Sequence, residues 1–110
     1  MRTINLQNYT CQLLDEFGNP KEATYFVKDS LVNLLMHADL GLNGVELLKR
    51  QVFASKILTS KDPDLLIEEE EYNCLQHAIQ TIRGFSRNDV ELVQRIMEAK
   101  QVDVEIKRET

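Results

Sequence analysis

The chain has 110 residues, of which 43% are hydrophobic and 28% charged, with a net charge of −5. That length and apolar share predict one small domain, residues 1–110, with enough core to fold alone, and they exclude a chain left disordered for want of apolar side chains. The negative balance argues against a nucleic-acid partner, which needs a basic face, and against an anionic membrane surface; no apolar run approaches the ~20 residues of a spanning helix.

The first ten residues, MRTINLQNYT, carry no apolar signal core and no cleavage site, so the expected compartment is the cytoplasm. Cys11 and Cys74 lie far apart in sequence, without CxxC or zinc spacing, and read as reduced thiols. Ile4 and Leu6 either extend a first strand or fray. Tyr9 to Asp15 and Lys21 to Val27 carry β-favouring residues around Glu16-Phe-Gly-Asn-Pro20, which is turn chemistry. A β-hairpin is predicted, with Tyr9, Cys11 and Leu13 on one face and Ala23, Tyr25 and Val27 opposite.

Asp29 is the expected N-cap of a short helix to about Ala38, with Leu31, Leu34, Leu35 and Ala38 buried and Gly41 closing it. Asn43 to Glu46 resembles a capping box for a helix to about Thr59. Val45, Leu48, Val52, Phe53 and Ile57 cover a wide arc of that helix, widened further by Leu47 and Leu58. Such a helix is expected at the centre of the fold; a partner-facing strip is the other reading of the same arc. Asp62-Pro63 ends it, and Asp64 to Ile67 reads as an apolar linker.

Glu68 to Gly84 is the clearest periodic stretch. Tyr72, Leu75, Ile79 and Ile82 recur at helical steps, four glutamates open the helix and Arg83 follows near its end, an order that suits the helix dipole. Asn88 to Glu91 repeats the capping pattern before a last helix whose stripe is Val90, Val93 and Met97, broadened by Leu92 and Ile96. Val102, Val104 and Ile106 then alternate with charged residues, the period of a third strand beside the hairpin, with a solvated tail as the alternative.

Chemistry-bearing groups are sparse. Glu68, Glu69, Glu70 and Glu71 are the candidate partner-binding residues, but successive helix positions point about 100° apart and do not converge on one cation. The other reading of this run is a solvated, dipole-stabilised helix start. His37 and His77 have no ligand-type residue four positions on. Ser30, Ser55, Ser60 and Ser86 lie outside any nucleophile-elbow context, and Gly18, Gly41, Gly44 and Gly84 form no phosphate loop. The expectation is no catalytic residue, no metal and no cofactor.

The order of an FGNP turn, DSLVNLLMHA, LLKRQVFASKIL and EEEEYNCLQHAI resembles a loose group of small proteins encoded by tailed bacteriophages and prophages. The likeness spans roughly Cys11 to Met97 and carries no catalytic signature; Gln80 to Asp89 and the charged tail depart from it. It implies a phage accessory or assembly protein in the host cytoplasm. The fold expected is α+β, an N-terminal β-hairpin followed by about four α-helices, with a C-terminal third strand open. The function expected is noncatalytic, through contact with an unidentified protein partner, with homo-oligomerisation open. An acidic inhibitor mimicking DNA and a small enzyme are the alternatives.

Overall fold

The residues around Ile4 do not fray. Arg2–Asn5 forms a strand, β1, because both of its edges find partners. The computed structural model describes residues 1–102. After β1 come β2 (Tyr9–Leu14), β3 (Pro20–Tyr25), α1 (Val27–Leu35), α2 (Gly44–Thr59), β4 (Asp64–Ile67), α3 (Glu69–Thr81), α4 (Val90–Met97) and β5 (Lys100–Gln101), with 3-10 turns at Ala38–Leu40 and Arg87–Asp89. The fold is α+β, with a three-stranded sheet in the order β4-β1-β5 and a separate β2-β3 hairpin.

The hairpin forms, with Tyr9 paired to Tyr25 and Cys11 to Ala23, while Leu13 meets Lys21. Val27 is not part of it. It opens α1, whose N-cap is Phe26, so Asp29 falls in the first turn rather than at the cap. There its carboxylate suits the positive end of the helix dipole. The helix stops at Leu35, and Ala38 belongs to the exposed 3-10 turn that His37 caps by accepting from Asp39 N. Gly41, at φ +61°, ends that turn.

Asp64–Ile67 is not a linker. It pairs antiparallel with β1, Arg2 opposite Ile67 and Asn5 opposite Asp64. Four residues are too few to display a period of two, and Ile67 is fully buried while Leu66 is exposed. The C-terminal strand β5 also pairs with β1, Arg2 opposite Gln101, and not with the hairpin. Val102 N donates to Met1 O at 2.8 Å. Val104 and Ile106, expected in that strand, lie outside the described residues.

Ile4, Leu31, Leu35, Ile57, Ile67, Leu75, Leu92 and Ile96 make the fully buried centre, an aliphatic core as the lack of tryptophan implies. Helix α1 packs on both α2 and α3, α3 on α4, and α4 on β1. On α3, Tyr72, Leu75 and Ala78 are buried; Ile79 sits at the rim of the core. On α4, Leu92 and Ile96 take the core, whereas Val90 and Met97 are exposed. The cap before α4 lies two residues earlier than Asn88: Ser86 and Asp89 cap each other's backbone across the 3-10 turn.

Arg2 ties the first strand to the end of α4 and the start of α3. Its Nη1 donates to Ala99 O at 3.0 Å, its Nε lies 2.9 Å from the Glu69 carboxylate, and its guanidinium sits 4.0 Å from the centre of the Tyr72 ring.

Candidate protein-docking site

Helix α2 carries two apolar faces and buries one. Asn43 caps it, its side chain accepting from Glu46 N at 2.9 Å. Phe53, Ala54 and Ile57 then turn inward. Val45, Leu48 and Val52, at steps of three and four, are 66%, 70% and 73% exposed. The expected central placement of this helix is therefore wrong for its outer half. Its inner half packs on α1, and nothing among the described residues lies over the outer strip. Three aliphatic side chains in line are more than the scattered exposure ordinary surfaces carry.

Beside this strip, residues of α2 and α3 line a groove of about 450 Å³, with Val52, Phe53 and Cys74 among its apolar walls and Glu46, Lys49 and Glu70 at its polar edge. That volume is in the range of built ligand sites. Lys56 bridges the two helices, its Nζ 2.8 Å from Glu71 Oε1. Arg50 also lines the groove and is only 9% exposed. Its guanidinium has five donors, yet its one hydrogen bond is a long one, Nη1 to Leu35 O at 3.5 Å, and no carboxylate pairs with it among the described residues. Leu35 ends α1, so the cation rests at the negative end of a helix, which offsets part of its desolvation.

The four glutamates separate into different roles. Glu68 and Glu71 form a reciprocal capping box, and Glu71 also holds Lys56. Glu69 pairs with Arg2. Glu70 lines the groove and has no hydrogen-bonded or ionic partner among the described residues. The structure thus puts one of the four at the groove's edge with its charge uncommitted. Arg50 was not singled out by sequence reasoning; the signal was a charged residue at the head of the buried series 50, 53, 54 and 57.

A second, narrower cleft of about 220 Å³ brings Tyr25, Ser30, His37, Arg83 and Asp89 together. Tyr25 donates to the Asp89 carboxylate. Burial first, then that hydrogen bond, push the Tyr25 hydroxyl well above its ordinary value; burial raises Tyr9 as well. A tyrosine held protonated is a donor, not a base. His77 is exposed on α3 and His37 caps a turn. Cys11 and Cys74 are free thiols, and no group of three or more potential metal ligands occurs among the described residues. No helix among them is long and apolar enough to cross a membrane. Comparison with family models, curated proteins and solved structures finds no match for the chain.

Proposed function

We propose that the chain is a noncatalytic accessory or assembly protein that works by protein–protein contact, the role implied by its resemblance to small tailed-phage proteins. The observation that carries this reading is the exposed strip Val45, Leu48 and Val52 beside the α2–α3 groove. Burying aliphatic side chains of this size is worth ~1.5–3 kcal/mol each, so three in line supply a useful interface centre. The charged edge of Glu46, Lys49 and Glu70 supplies register to a partner without setting the affinity.

The acidic-inhibitor reading draws less support. A mimic of DNA needs an open array of negative charge, whereas Glu68, Glu69 and Glu71 are engaged within their own chain. The enzyme reading draws on the Tyr25 cleft, where Tyr25 is paired with Asp89 rather than with an activated nucleophile.

The test is comparative capture. Tagged wild-type chain and a Leu48→Glu variant, matched in thermal midpoint, are used as bait in the cells that produce the protein. A partner retained by wild type and lost from the variant is the expected result. An identical set of captured proteins from both baits overturns the reading.

A further inference from the structure

The tip of the β2–β3 hairpin exposes two large apolar side chains among its polar turn residues. Leu14 and Phe17 are 73% and 83% exposed. The tip is nevertheless tightly built. Asp15 Oδ1 accepts from Phe17 N at 2.8 Å and Asn19 N at 2.9 Å, and Asp15 O accepts from Gly18 N at 3.0 Å. Gly18 takes the positive φ, +79°, that an L side chain resists. At its other end the hairpin is clamped to the body by Tyr9, Tyr25 and Asn88, the last donating from Nδ2 to Gln12 O at 2.8 Å. A rigid, clamped arm therefore presents Phe17 to solvent with little ordering entropy left to lose on binding.

The α2–α3 groove offers the complementary surface: apolar walls, and the Arg50 guanidinium, which no carboxylate pairs among the described residues. Next to Phe17 stands Glu16, which has no partner among the described residues; opposite Leu13 on the arm stands Lys21, likewise uncommitted. The groove carries the opposite charges without an ion-pair partner among the described residues, Lys49 and Arg50 on one hand and Glu46 and Glu70 on the other. We infer that the hairpin tip of one copy seats in the α2–α3 groove of a second copy, Phe17 against Val52 and Phe53 with Glu16 reaching Arg50. This names the occupant of the docking surface proposed above and rests on that reading. Tip and groove are different surfaces, so the contact closes as a reciprocal pair or repeats from copy to copy as a larger ring or an open filament. The arm's own groove is not filled by its own tip, since Phe17 is exposed.

The test uses the full chain and two surface variants, Phe17→Ser in the tip and Val52→Glu in the groove, both at exposed positions and both first checked for an unchanged melt. Sedimentation velocity over a concentration series is expected to show wild type associating into dimers or larger species. Each variant alone is expected to associate at least ~tenfold more weakly. An equimolar mixture of the two variants restores one intact contact, the Val52→Glu tip in the Phe17→Ser groove, and stops at a heterodimer. A wild-type monomer at ~200 µM, where contacts of even ~100 µM dissociation constant populate dimers, overturns the inference. So does a mixture no more associated than its parts. If the inference fails while Leu48→Glu still loses a captured partner, the docking reading stands with a different occupant. If both fail, that reading falls too.

Discussion

Tyr9 and Tyr25 stack across the β2–β3 pair with ring centroids 4.5 Å apart and planes 10° from parallel. Both hydroxyls end on the same 3-10 turn, Tyr9 donating to Asn88 O at 2.6 Å and Tyr25 to the Asp89 carboxylate. A two-stranded ribbon is marginal alone. This stack and its two anchors hold the arm to the helical body.

The clamp has a pH signature. Both hydroxyls keep their protons to higher pH in the folded chain than in the unfolded one. Their contribution is complete below the unfolded value, about pH 10, and is lost as the pH climbs toward the folded values, because the unfolded state then releases protons the folded state retains. Urea melts from pH 8 to 11.5 are expected to show stability falling above about pH 10, less steeply in a Tyr9→Phe, Tyr25→Phe double variant. Parallel curves for the two proteins would remove the clamp from the account.

The glutamates are expected to respond unequally. Glu71→Ala removes half of the capping box and the Lys56 ion pair and should cost ~1 kcal/mol. Glu70→Ala, at an exposed position with no partner among the described residues, should stay within ~0.5 kcal/mol of wild type. Equal losses in chemical denaturation would mean that the four act as one acidic patch.

Leu75→Ala should cost ~2–5 kcal/mol, since Leu75 is wholly buried. Ile79→Ala, at the rim, should cost less, and Leu48→Ser should stay within ~0.5 kcal/mol of wild type. Denaturant midpoints that rank Leu48 with Leu75 would place the outer face of α2 inside the fold.

Arg2→Lys should destabilise by ~1–2 kcal/mol, measured the same way. Lysine keeps the charge but loses the planar fork that meets Ala99 O and Glu69 while covering the Tyr72 ring. No loss on this substitution would show that charge alone holds β1.

Much of this fold was legible because local chemistry and tertiary context agree. The turn residues between Asp15 and Pro20 located the hairpin, and Asn43 and Ser60 bracket α2 as its caps. The small sheet was obscure because its strands are two to four residues long and depend on partners distant in sequence. On α4 two stripes competed. Leu92 and Ile96 won because they face the core shared with Ile4 and Leu75, a fact no period discloses. The same limit hid the candidate site. An apolar face on a helix has one periodicity whether it meets a core or a partner, so the arc holding Val45, Leu48 and Val52 allowed both readings, and only their exposure separates them. Glu70 was within the predicted acidic run, but which of the four glutamates stayed uncommitted depended on Arg2 and Lys56, far off in sequence.

The most direct measurement of the docking claim places a photo-crosslinking amino acid at position 48, at 52 and, as control, at 29, an exposed position on α1. After irradiation in the cells that produce the protein, adducts to another polypeptide, a second copy included, are predicted from 48 and 52 and not from 29. Adducts from 29 alone, or equal yields from all three positions, would contradict the assignment of the α2 face as the contact surface.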